Sequence, residues 1–322
     1  MSDKKEEKMT EKDKQIIEKN KQLKADSMLV MVALFWGVSY LLIDVSLKQV
    51  EPFNLNALRF CIAFIIAALL TFPKIKNVNK TTLKYSVLLG ALLTGVYLGA
   101  TYGVMYTSLS NAGFLCAMTV VFTPIFAFVF KKQKQDKRLI LAVIVCFTGI
   151  GLLSLNDDLK PALGDIFCLG CAIVYAVHLL VTETAVKKEE VNALQLGVYQ
   201  LGFTGLFNLV ISFLIETPVL PHTPEVWTSV LVLAVFCTGL AFIAQTIAQQ
   251  YTSASHVGII FSLEPVFAGF AAFFFAKEIL APRGYLGAAL MVFGLFIVEI
   301  DWGKILKKPL KIDAQNPDIS KR

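Results

Sequence analysis

From residue 28 to residue 300 the chain alternates apolar blocks of membrane-spanning length with short polar links. A helix needs roughly 20 consecutive apolar residues to cross a bilayer. Ten windows approach or meet that length, at about 28–47, 54–72, 83–106, 110–130, 138–155, 162–185, 192–215, 226–250, 255–276 and 283–300. Composition agrees: 56% of the 322 residues are apolar, mean hydropathy is +0.65 and 17% are charged, against about 25% in a soluble domain. The expectation is an all-α integral membrane protein, a bundle of ten transmembrane helices embedded in a lipid bilayer.

Charge placement gives the bundle a direction. Of the 30 Lys and Arg residues, 25 lie in the tail Met1–Asp26, in Lys74–Lys84, Lys131–Arg138 and Lys187–Lys188, and in the tail from Lys304. These segments share one side of the membrane if ten helices are threaded in order. Lys48, Arg59, Lys160, Lys277 and Arg283 fall on the other. Cytoplasmic loops carry the excess of Lys and Arg, so both termini are expected in the cytoplasm of a multi-pass cell-membrane protein. The first 26 residues lack the apolar core and cleavage site of a signal peptide and read as a solvated tail able to form a helix.

The chain also repeats itself. Tyr106-Thr107-Ser108 recurs as Tyr251-Thr252-Ser253, an offset of 145 that also pairs Ser110 with Ser255, Gly113 with Gly258, Arg138 with Arg283 and Gly149 with Gly294. Upstream, Trp36-Gly37 meets Tyr175-Ala176 at an offset of 139. Each copy holds five windows, and an odd number turns the second copy over. That is the inverted-repeat plan of many secondary transporters, whose substrate site lies near the midplane where the repeats meet. The expected divisions are a charged cytoplasmic tail (1–27), two inverted five-helix repeats (28–157 and 158–302) and a C-terminal tail (303–322).

The LFWGVSY start, the Arg59-Phe60 pair, the run YTSASHVGIIFSLEPVFAGFAAFFFAKE and the Gly-spaced last window resemble the EamA-like branch of the drug/metabolite transporter superfamily. The first repeat departs from the pattern: KKQKQDKR stands where the family often has a small residue followed by Glu-Arg. The resemblance implies a ten-span carrier whose central cavity is lined mainly by spans 1, 3, 4, 6, 8 and 9. Relatives move amino acids, amines, nucleotide precursors, sugars or drugs, so the substrate is left open. Lys277-Glu278 resembles a loop element of that family and reads as scaffold.

Polar groups at membrane depth are the candidate site. Glu264 is the one charge between His256 and Ala276, and Pro265 follows it. An ionised acid at the bilayer centre costs roughly 3 kcal/mol on insertion scales, so it should face a cavity or a partner. Proline withholds a backbone hydrogen bond and kinks a helix, freeing carbonyls that are tolerated only against protein or a cavity. The alternative is a protonated Glu264 holding backbone groups between packed helices. At the 145 offset Thr119 takes its place in the first repeat, giving one acidic and one hydroxyl wall, suited to a substrate with unlike ends. Helical spacing adds Trp36, Tyr40 and Asp44; Thr94, Tyr97 and Thr101; Tyr175, His178 and Thr182; and Thr238, Phe242, Gln245 and Gln249. Aromatic rings beside polar groups suit a cation or a stacked ring. The candidate substrate-binding residues are therefore Glu264, Trp36, Tyr40, Tyr97, Thr101, Thr119, Tyr175, His178, Phe242 and Gln245. For each, ordinary helix packing is the competing explanation.

Other features read as structural. Gly95, Gly99 and Gly103 let another helix approach span three. Asp44 and Arg59, near the ends of adjacent spans, are candidates for an ion pair or gate. The six cysteines all fall inside apolar runs and read as packing residues; no metal or cofactor is implied. There is no HExxH or Ser/His pair for an intramembrane enzyme, no filter or charge ring for a channel, and no reason for inverted halves in a receptor. The expected activity is secondary transport of a small amino acid or amine-like metabolite by alternating access, as an exporter. Protons are a candidate co-substrate; no nucleic acid is involved, and the chain acts as a monomer or weak homodimer. A drug or organic-cation exporter is the second reading.

Overall fold

The computed structural model describes residues 11–107, 109–154, 163–271 and 282–299, all in helices or the short links between them. Helix α1 runs unbroken over Glu11–Leu47, joining the lysine-rich tail to the first apolar window. It is followed by α2 (Pro52–Ile75), α3 (Lys80–Tyr106), α4 (Leu109–Ala117), α5 (Thr119–Lys131) and α6 (Lys137–Ser154). The second half holds α7 (Leu163–Val186), α8 (Ala193–Ile215), α9 (Pro224–Ala234), a π-helical turn (Val235–Leu240), α10 (Ala241–Ala248), α11 (Ala254–Phe261), α12 (Glu264–Ala271) and α13 (Pro282–Glu299). Among the described residues, seven helical segments are long and apolar enough to cross a membrane: Ile17–Leu47, Pro52–Ile75, Lys80–Tyr106, Leu163–Val186, Ala193–Ile215, Pro224–Ala248 and Ala254–Ala271. The windows expected at 110–130, 138–155 and 283–300 are helical where described, and shorter or broken.

Local sequence sets the helix starts. The Asn79 carboxamide accepts the Thr82 amide at 2.7 Å, and Asn192 accepts that of Gln195 at 3.1 Å, the usual Asn capping of orphan N–H groups. Helix α2 borrows its cap: the carboxylate of Glu216, beyond the end of α8, accepts the Phe53 and Asn54 amides at 2.9 and 2.8 Å. Pro52 occupies the first turn, where its missing N–H costs nothing.

The bundle exposes apolar side chains and buries a set of polar ones within its apolar core. Leu70 and Leu214 are 80% and 76% exposed, whereas Arg59, Gln200, Asn208, Gln245 and Gln249 are all fully buried. A solvent that rewards exposed leucine is lipid. The largest interfaces join α3 to α7, α6 to α13 and α2 to α8. Close approach depends on glycine where expected: a Cβ on Gly99 would lie 2.6 Å from the Phe167 carbonyl oxygen and 2.8 Å from the Cys171 Cβ.

Two expectations are corrected. Asp44 and Arg59 form no ion pair: Asp44 is exposed, while Arg59 is fully buried with its Nε donating to Thr238 Oγ1 at 2.8 Å. Nor does Pro265 kink a continuous helix. The chain breaks at Ser262-Leu263, between α11 and α12, and Pro265 lies in the first turn of α12, where no backbone donor is missed. Lys277 and Glu278 lie outside the described residues.

Candidate functional site

A cavity of about 70 Å³, room for a few water molecules, opens among α1, α3, α7, α10 and the broken helices. Six of the residues singled out by sequence border it: Trp36, Tyr40, Tyr97, Tyr175, Phe242 and Glu264. Ser39, Ile43, Val96, Ala100, Cys116 and Cys171 complete the wall. The rings form a connected cluster. Trp36 lies 4.8 Å from Phe261, 5.3 Å from Phe242 and 5.6 Å, edge-on, from Tyr175. Tyr97 lies 6.0 Å from Phe242 and 4.8 Å, edge-on, from Phe60. Edge-on and tilted pairs at these spacings are favourable beyond their buried area.

Glu264 is the first residue of α12, and it borders the cavity together with Tyr40 on α1. Gly37, one turn before Tyr40, makes the close approach of α1 and α12 possible. A Cβ there would lie 2.7 Å from the Phe267 Cβ and 2.8 Å from the Glu264 carbonyl oxygen. Trp36 is fixed from the other side, its Nε1 donating to the Cys237 carbonyl at 2.9 Å. That carbonyl belongs to the π-helical turn, whose widened ladder leaves backbone oxygens available to side chains. Nothing in the sequence of Val235–Leu240 announces this turn.

The other four candidates stand outside the cavity wall, each held by a neighbouring helix. Thr101 Oγ1 accepts from Asn56 Nδ2 at 3.2 Å. Thr119 donates to the Cys116 and Ala172 carbonyls at 2.9 and 3.3 Å. His178 Nε2 meets Gln200 Oε1 at 3.1 Å, which places the proton on Nε2; Gln200 Nε2 then donates to Thr246 Oγ1 at 3.0 Å. Gln245 Oε1 accepts the Tyr175 hydroxyl at 2.9 Å, its Nε2 donates to Gln249 Oε1, and Gln249 Nε2 donates to the Leu179 carbonyl. The His178–Gln200–Thr246 and Gln245–Gln249 networks lie between the cavity and the end that carries the N-terminal tail, and the Asn56–Thr101 bond lies toward the other end. Beyond the networks at the tail end, Asp26 pairs with His256 at 3.1 Å, and Glu183 with Lys131 at 2.9 Å and with Lys187.

Some residues paired by the sequence offsets lie against each other. Trp36 and Tyr175 touch, as do Tyr97 and Phe242, which are 145 residues apart. Thr119 and Glu264 each open the second half of a broken helix. The Asn56–Thr101 bond has its likeness in Gln200–Thr246. Comparison with known sequences matches residues 23–155 and 162–300 to the EamA-like transporter family.

The chain belongs to the EamA-like transporter family. Among the relatives of this EamA-like protein is an uncharacterized transporter of Archaeoglobus fulgidus, 31% identical over 282 residues and 87% of each chain. The uncharacterized transporter YetK of Bacillus subtilis is 26% identical over 87% of this chain and 88% of its own. Solute carrier family 35 member F5 of Macaca fascicularis is 31% identical over 112 residues, 33% of this chain and 25% of that one. A crystal structure with 16% sequence identity superposes with a TM-score of 0.73, covering 88% of this chain and 98% of that one. The EamA-like chain is thus a multi-pass membrane transporter. Among its described residues no group of three or more His, Cys, Asp or Glu side chains is arranged to hold a metal.

Proposed function

We propose that this transporter is a secondary carrier for a small amino acid or amine-like metabolite, exported across the cell membrane by alternating access. The observation that carries the reading is Glu264. It is a carboxylate at the start of a half-helix, bordering with Tyr40 a cavity walled by Trp36, Tyr97, Tyr175 and Phe242. Such a group neutralises an amino group or takes up a coupling proton, and aromatic faces attract cations. Substrate sites beside broken helices at the junction of inverted repeats are a recurring transporter plan.

Ten spans in two inverted five-helix repeats, with both termini cytoplasmic, are part of the proposal. The pairing of elements supports it: α3 packs on α7 as α10 packs on α1, and α5 meets α7 as α12 meets α1. Alternating access would open the tail end by separating α1 from α11 and α5 from α7. That breaks Asp26–His256 and Lys131–Glu183.

The test is flux of labelled metabolites in liposomes, after a thermal-shift screen, since a ligand raises stability with its concentration over Kd. Concentrative uptake driven by a pH gradient is expected; ligand turnover, or binding without flux, would favour an enzyme or a receptor. Cysteines placed at residues 5 and 318 should be closed to an impermeant thiol reagent in intact cells, and labelling of either from outside would overturn the inverted repeat. A drug or organic-cation exporter is the second reading, favoured by the same carboxylate among rings.

A further inference from the structure

Arg59 is fully buried, one of the largest fully buried side chains, and no ion pair among the described residues includes it. The ion pairs among the described residues are Lys131–Glu183, Lys187–Glu183 and Asp26–His256. Its Nε donates to Thr238 Oγ1 at 2.8 Å and its Nη2 to the Cys237 carbonyl at 3.5 Å, while Nη1 has no partner. A buried charge with no counter-charge is strongly destabilising, and guanidinium is always protonated. Such a group at membrane depth marks a function by default.

Its surroundings connect it to the cavity. The guanidinium carbon lies 4.6 Å from the ring centre of Tyr97, which borders the cavity. The Cys237 carbonyl that receives Nη2 is the one that receives the Trp36 indole, another cavity residue. Arg59 comes from α2 in the first half; Glu264 comes from α12 in the second. Helix α8, the counterpart of α2, carries no cation at all. The site region thus holds one fixed positive and one titratable negative group, on different helices and not bridged to each other.

We infer that the substrate is a zwitterion, its anionic group taken by Arg59 and its amino group by Glu264. This rests on the reading of Glu264 given above and deepens it. A carboxylate reaching Nη1 fills the vacant donor and supplies the missing counter-charge, and a tilt of the Tyr97 ring gives it the path. A simple amine leaves Arg59 uncompensated and adds a second positive charge nearby; a simple acid meets Glu264 as a like charge. A zwitterion satisfies both ends and leaves the membrane interior neutral.

Matched probes test this on the purified full-length protein. Leucine is compared with 3-methylbutylamine and 4-methylpentanoate, and phenylalanine with phenethylamine and 3-phenylpropionate, each by calorimetry or thermal shift. In at least one set the wild type should prefer the zwitterion. Arg59→Met should weaken the zwitterion by about thirtyfold or more, as truncating one partner of a buried charge pair does, and should not weaken the amine. Arg59→Lys, which keeps the charge but not the planar fork, should keep part of the zwitterion preference and serves if the Met variant fails to fold. Equal binding of amine and zwitterion by the wild type, with Glu264 dependence intact, overturns this inference and leaves the carrier reading standing. An equal loss of all probes in Arg59→Met makes Arg59 a packing residue and also overturns it. Binding of none of the probes in either set overturns the substrate class together with the amine role of Glu264.

Discussion

The two broken helices, α4–α5 and α11–α12, have the same plan and different contents. Each breaks near its middle, and the residues that open the second halves, Thr119 and Glu264, are 145 positions apart. Thr119 turns its hydroxyl to carbonyls of α4 and α7 and stands outside the cavity wall. Glu264 borders the cavity, as Tyr40 does. The broken-helix plan occurs twice, but only one instance carries the acid. The break is scaffold; the side chain at its edge is chemistry.

The largest effect should come from removing that acid. Glu264→Gln keeps the size and hydrogen bonding of the protonated form but cannot ionise. It should fold, and lose pH-dependent flux and amine binding to near background, with Glu264→Asp partly active. Unchanged transport and pH profile in the Gln variant would reduce Glu264 to a structural hydrogen bond and erase the distinction between the two breaks. Moving the acid sharpens the point. The double variant Thr119→Glu, Glu264→Thr should stay inactive, because position 119 faces α7; recovery of flux would mean that the two breaks are interchangeable.

Next in size are the rings. Trp36→Ala and Tyr97→Ala should each weaken substrate binding by about tenfold, roughly 1.4 kcal/mol, as read by calorimetry. The indole also holds the π-helical turn through Cys237, so Trp36→Phe is the gentler companion. Normal binding by both Ala variants would make these rings packing only. Lys131→Ala comes after that. It leaves the buried Glu183 with Lys187 alone, and should raise accessibility at the tail end, seen as faster labelling of a cysteine at the buried position 257, which leaves the Asp26–His256 pair in place. The smallest effect belongs to Thr119→Ala, which removes one hydroxyl. It should cost about 1 kcal/mol of stability, read as a modest fall in Tm with transport retained.

The sequence displayed its lipid-facing architecture openly, because apolar runs and the lysine bias are imposed by the bilayer itself. Glu264, Trp36, Tyr97 and Tyr175 stood out for the same reason: polar or aromatic groups at helical spacing in an apolar run have few places to go. Arg59 did not. Counted from the start of its window it looked like a residue near the membrane surface, and only the π-helical turn across from it explains its burial. Thr101, His178 and Gln245 looked like cavity residues because their partners, Asn56, Gln200 and Tyr175, lie 45, 22 and 70 residues away. The break at Ser262-Leu263 was signalled by Pro265 but misplaced by a few residues, since proline marks a helix's first turn as readily as a kink.

Helix α1 joins the cavity wall at Trp36 and Tyr40 to the lysine-rich N-terminal tail without interruption. Its first 17 residues, Glu11 to Ser27, make a rod about 25 Å long at 1.5 Å per residue. A tilt of about 10° in the membrane would sweep its tip by about 4 Å at that length. The tail is in this sense a pointer: a fluorophore on Lys19 would follow, from outside the bilayer, a movement that begins at the indole of Trp36.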